Sequence, residues 1–289
     1  MHAEIISCRT SDEIRLDGAF LTPEVPLAQA LCDAVLFVHG SGSNFYRGLG
    51  GLPEELRKTG FPVAAFNNRG HDLAWGVPGN LRGNAFEILD RCRLDLDAQL
   101  GWLEEIGYNR IAIVGVSMGA VKSIYYAAHV ADRRVAAIVP VSPNRLSYSY
   151  FMKSEAAQVF DETYKRAEAL IAAGQPDAVF PTAFPLPHLW SAAAYVDKHN
   201  ADERYNIERF IDKVTCPIFI AGGGLERHPR LRDGAADAFA IVAGDERNRL
   251  LIDPEADHGF PGKSAELASA ITTWLLERAP LAALEGSKA

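Results

Sequence analysis

Short runs of uninterrupted apolar residues alternate along this chain with longer stretches whose apolar positions recur at helical spacing. Ala34 to Val38 reads AVLFV, and such a run suits a strand covered on both faces. Phe61 to Phe66, Ile111 to Val114, Val135 to Val141, Pro217 to Ile220 and Arg249 to Ile252 read as further strands. Residues 48–59, 85–106, 120–129 and 264–279 read as helices between them. Within 85–106, Phe86, Leu89, Leu96, Leu100 and Leu103 fall mainly on one side, and Arg93 and Asp97 are spaced as an i,i+4 ion pair. The first 31 residues read as strands and turns, with DEIRLDGAFLTP as an antiparallel start.

That alternation predicts an α/β fold, a mostly parallel sheet with helices on both faces. The pattern lapses over residues 142–210. Aromatic residues such as Tyr148, Phe160 and Trp190 crowd this stretch, and Pro176, Pro181, Pro185 and Pro187 interrupt it. No strongly buried strand is apparent there. The reading is a core of residues 1–141 and 211–289 with residues 142–210 inserted as a helical cap.

The 289 residues suffice for one large domain carrying such an insertion. The formal net charge of −8 disfavours nucleic acid as a partner. No apolar stretch reaches the roughly 20 residues of a membrane span, and the first residues lack a basic segment followed by an apolar one. A cytoplasmic protein without a membrane partner is the expectation. Cys8, Cys32, Cys92 and Cys216 lack metal-ligand spacing and read as free thiols.

The chemistry concentrates at Gly115-Val116-Ser117-Met118-Gly119. A chain of this length carries such a GxSxG string by chance roughly one time in ten, so its context matters. An apolar strand ends at it and a helix begins after it. A sharp strand-to-helix turn holds the serine hydroxyl above the sheet in a strained conformation. The helix N-terminus favours negative charge there, and the amide of Met118 points to where an oxyanion would form. No GxGxxG or GxxxxGK string supports a nucleotide-binding turn instead.

A serine hydroxyl needs a base within hydrogen-bond reach. Of eight histidines, His258 stands between the last strand and the last helix, in a loop over the carboxyl edge of the sheet. His39 also ends a strand, but Gly40 and Ser41 follow it. That segment suits an oxyanion loop in which the Ser41 amide is the second donor. His71, in RGHD, is a candidate pocket residue. For the acid, Glu226 follows strand 217–221 and precedes His258 in chain order, with Asp253 and Asp233 as alternatives and Asp257 less well spaced.

FVHGSGSN at 37–44, FNNRGHD at 66–72, GVSMGA at 115–120, CPIFIAGGGLE at 216–226 and ADHGF at 256–260 together resemble the α/β-hydrolase superfamily. The resemblance implies an eight-stranded sheet with a lid after the sixth strand. It implies a triad carried by Ser117, Glu226 and His258, and oxyanion donors at the Ser41 and Met118 amides. The acid position holds Glu where Asp is commoner.

The expected activity is hydrolysis of a carboxylic ester through an acyl-enzyme, without cofactor or metal. The aromatic insertion suggests a small to medium substrate with an apolar or aromatic part. A thioesterase, an amidase and a non-catalytic ligand-binding protein are the competing readings. The sequence leaves open whether the chain acts alone or as a homodimer.

Overall fold

The computed structural model describes residues 2–27, 29–77 and 79–278. Its centre is a sheet of eight strands, in the order β1-β2-β4-β3-β7-β8-β11-β12. These are β1 (Glu4–Arg9), β2 (Arg15–Leu21), β3 (Ala34–Val38), β4 (Val63–Phe66), β7 (Ile111–Val116), β8 (Val135–Val141), β11 (Phe219–Gly223) and β12 (Arg249–Asp253). Strand β2 runs antiparallel to both neighbours, and every other pairing is parallel. A small hairpin, β5 (Trp75–Val77) with β6 (Asn80–Arg82), lies apart from the sheet.

The central strands are buried on both faces because helices cover both. Every residue of β3 and β4 is buried. On one face α2 (Cys92–Glu105), α3 (Met118–Val130) and α8 (Gly234–Val242) enclose Leu36, Ile113, Val121 and Ile220. On the other, α1 (Leu52–Lys58) and α9 (Ser264–Glu277) enclose Val35, Val114, Val139 and Leu267. Alternate side chains of each strand feed the two clusters, as the period of two requires.

Three readings of the sequence need correction. The helix expected over 85–106 begins as α2 at Cys92. Residues 84–91 form two short turns broken by extended backbone at Glu87 and Ile88. Tertiary partners hold them so: Lys198 donates to the Glu87 carbonyl at 2.7 Å, and the Leu89 amide donates to Asp197 at 2.7 Å. Arg93 pairs with Asp90 and Asp97 with Arg134, so the 93–97 pair does not form. The sequence reading also passed over the β5–β6 hairpin and α8. The final helix follows its expectation to Glu277, and residue 279 lies outside the described residues.

Between β8 and β11, the sixth and seventh strands of the sheet in chain order, the chain forms α4 (Tyr148–Phe151), α5 (Ala157–Ala172), β9 (Val179–Thr182), β10 (His188–Ser191) and α6 (Ala192–Lys198). This stretch is not purely helical: β9 and β10 pair antiparallel across the proline-rich turn. It has its own apolar cluster, in which Phe151, Phe160, Tyr164 and Tyr195 are buried. The helix α7 (Pro229–Arg232) follows β11.

Candidate active site

Ser117 sits between β7 and α3 with φ 58° and ψ −117°, a conformation that L residues rarely adopt. The Ser117 amide donates to the Val141 carbonyl at 2.9 Å, which locks the bend to β8. The flanking glycines are sterically required. A Cβ on Gly119 would overlap the Val38 carbonyl, and one on Gly115 would overlap the Gly119 carbonyl.

His258 comes from the loop between β12 and α9. Its Nε2 lies 2.9 Å from Ser117 Oγ, and its Nδ1 lies 3.0 Å from Glu226 Oε2. Hydroxyl, imidazole and carboxylate thus form one row along the carboxyl edge of the sheet. The burial gradient runs with it. The Glu226 side chain is fully buried, while that of His258 is 34% exposed.

Burial pushes the Glu226 carboxyl upward, but hydrogen bonds from His258 and Ser142 outweigh it and hold the group below the ordinary Glu value. The Gly223 amide adds a weaker bond to Oε1 at 3.4 Å. Glu226 is therefore an ionised acceptor for the Nδ1–H of the imidazole, which leaves Nε2 free to accept from Ser117.

The structure separates the other acid candidates from the imidazole. Asp253 binds Lys263 and the Glu255 amide, and Asp233 pairs with Arg232. Among the described residues, the Asp257 carboxylate accepts from the His258 main-chain amide and not from its ring.

The segment after β3 passes close over the serine. A Cβ on Gly40 would lie 3.1 Å from Ser117 Cβ. Among the described residues, the amides of Ser41 and Met118 make no hydrogen bond, the Met118 amide being one of the first orphan donors of α3. His39 is buried and structural. It accepts from the Asn68 amide at 3.0 Å through Nε2, and burial pushes its ring down to about 4. His71 stacks on Trp75, with 4.8 Å between ring centroids, and pairs with Asp72.

Two site residues escaped the sequence reading. Asn144 places its amide 3.3 Å (Nδ2) and 3.5 Å (Oδ1) from Ser117 Oγ. Ser142 is fully buried at φ 48° and accepts from the Gly259 amide at 3.1 Å. It ties the loop of His258 to Glu226. Both follow β8 immediately, in SPN, where a non-glycine turn at a strand end is the only available signal.

Beside Ser117 is a narrow pocket of about 30 Å³, whose wall includes Ser41, Met118, Asn144, Leu186 and Trp190. A wider groove of about 540 Å³ at Cys8, Asp97 and Trp102 shares no residue with this site.

A doubly wound sheet with a hydroxyl, an imidazole and a buried carboxylate aligned at its carboxyl edge has the architecture of a hydrolase. The chain belongs to the α/β hydrolase fold family, whose model matches residues 33–180. No curated protein matches it. Among solved structures it is similar to the α/β hydrolase GrgF from Penicillium sp. sh18, at 16% identity and a TM-score of 0.69 over 95% of this chain and 98% of that one. It is also similar to the esterase Pf2001 of Pyrococcus furiosus, at 19% identity and a TM-score of 0.60 over 95% and 91%. Est1E from Butyrivibrio proteoclasticus aligns at 18% identity and a TM-score of 0.63 over 96% and 98%. Identities this low carry the fold and no more. None of the described helices is long and apolar enough to cross a membrane.

Proposed function

We propose that the protein is a serine hydrolase that cleaves a carboxylic ester through an acyl-enzyme. The observation that carries this reading is the continuous row from Glu226 through His258 to Ser117, with hydrogen bonds of 3.0 and 2.9 Å. Ser117 Oγ attacks the ester carbonyl carbon as His258 Nε2 takes its proton. The resulting oxyanion accepts from the Ser41 and Met118 amides. Collapse expels the alcohol, which receives the proton from His258, and leaves the acyl group on Ser117. Water then attacks the acyl carbonyl with His258 again as base. The carboxylic acid leaves, and Ser117 Oγ recovers its proton.

In this reading residues 142–210 act as the cap over the site and supply substrate contacts. Most of their aromatic side chains pack against one another, as Phe151, Phe160 and Tyr164 do. Trp190 belongs to the same cluster but also faces the pocket, where it joins Leu186 and Leu146 in the wall a small acyl or alcohol group would meet. Thioester and amide cleavage would use the same row. The test is a panel of aryl, alkyl and thio esters of graded acyl length. Wild type is expected to turn over short esters and the Ser117→Ala protein none, with both showing the same far-UV CD. Undiminished turnover in Ser117→Ala would refute the assignment.

A further inference from the structure

The pocket beside Ser117 has an unexpected lining for a net-acidic protein. One side of it consists of Lys198 from α6 and Arg230 from α7, both buried. Neither has a carboxylate to itself. Lys198 Nζ lies 3.3 Å from Glu87 Oε2, but Glu87 also accepts from Lys122 at 2.5 Å. Asp197, the other acid acting on Lys198, is committed to the Leu89 amide and the Tyr205 hydroxyl.

Arg230 is barer still. Its Nη2 donates to the Pro185 carbonyl at 3.0 Å, and among the described residues its buried Nε has no partner. Among the described residues, no carboxylate lies within 4.0 Å of its guanidinium. The indole N–H of Trp190, on the same wall, is likewise buried and has no partner among the described residues. Lys198 has the Glu87 carbonyl and carboxylate as partners, but leaving the buried donors of Arg230 and Trp190 without acceptors is costly unless a ligand supplies them.

From this lining we infer that the substrate carries a carboxylate on a short arm, seated against Arg230, the Trp190 N–H and Lys198 while its ester faces Ser117. This rests on Ser117 being the nucleophile and narrows that reading to acidic esters. The pocket volume of about 30 Å³ admits a group of carboxylate size rather than a long chain. The positive field already acts on a neighbour. Burial first, then Lys198 and Arg230, push His199 down to about 3, against its bond to the Tyr195 carbonyl. The guanidinium fork suits a planar carboxylate.

The experiment has two arms. In the first, kcat/KM is measured for monomethyl succinate, glutarate and adipate against the methyl esters of butyrate, valerate and caproate. At least one acidic ester should exceed its neutral match by about tenfold or more. In Arg230→Gln that ratio should collapse towards one through a rise in KM of about tenfold or more for the acidic ester, and Arg230→Lys should keep part of it. In the second arm, succinate, glutarate and adipate are titrated calorimetrically into the Ser117→Ala protein, with the matching diamides as controls. A dicarboxylate should bind, the diamides should not, and Arg230→Gln should abolish the binding. Ester turnover without any acidic preference would overturn the inference and leave the hydrolase intact. Dicarboxylate binding through Arg230 without turnover of any ester would sustain the anion site and reject the hydrolase. No turnover of any ester together with no dicarboxylate binding would end both.

Discussion

The row at the sheet edge and the pocket wall beside it are built by opposite rules. Glu226, His258 and Ser117 each end a strand or follow one closely, and each finds its partner within 3.0 Å. Lys198 and Arg230 stand on short helices; Lys198 shares Glu87 with Lys122, and Arg230 feels Glu226 only through space, with no carboxylate in contact among the described residues. The first arrangement is complete without a ligand, whereas the second is complete only with one. Reaction chemistry needs fixed partners, and recognition needs groups held ready for something absent.

The sharpest way to break this contrast is at the row. Ser117→Ala and His258→Ala should each lower kcat on the best ester by about 10⁴-fold or more. Glu226→Gln keeps the shape but loses the charge, and should cost about 10²- to 10⁴-fold. A loss under tenfold in steady-state kinetics would mean that the carboxylate does not orient the imidazole.

A second attack falls beneath the pocket. Glu87 is fully buried between Lys122 and Lys198. Burial opposes its charge, yet the two lysines hold it ionised, down to about 2. Glu87→Gln removes the carboxylate that two buried ammonium groups share and should destabilise the protein by about 3 kcal/mol in guanidinium unfolding. An unchanged midpoint would show that the lysines are not electrostatically demanding.

The comparison also has a pH signature. The unfolded chain protonates His39 near pH 6.5 and the folded chain only near 4. Stability from this ring is therefore full above pH 6.5 and falls between 6.5 and 4, by up to about 3 kcal/mol. His39→Gln should flatten that part of the stability curve. The smallest effect is expected at Asn144, whose contacts with Ser117 are long. Asn144→Ala should lower kcat/KM by about fivefold.

What the sequence revealed divides along the same line. Strands such as Ala34–Val38 announce themselves by unbroken apolarity, and the serine turn by its two obligatory glycines. That Glu226 and His258 meet is foreseeable from chain order and strand ends, which limit which side chains reach the carboxyl edge of the sheet. Lys198 and Arg230 had no such signal. A lysine in AAAYVDKHN reads as a solvated helix end, and only the tertiary contacts of Glu87 and Trp190 bury it. The start of α2 was misread for a related reason. Phe86 and Leu89 have helical spacing, but the backbone around Glu87 is held by α6, more than a hundred residues away. The β9–β10 hairpin was hidden by its prolines, which here occupy a two-stranded ribbon with free edges.

Activation of the Ser117 hydroxyl by His258 is the step on which the proposed hydrolysis depends. A fluorophosphonate reagent followed by peptide mass spectrometry tests it most directly. One label per chain is expected, on Ser117, with the labelling rate reduced by about 10³-fold or more in His258→Ala. Folded, ester-hydrolysing protein that stays unlabelled, or takes the label on another residue, would contradict it.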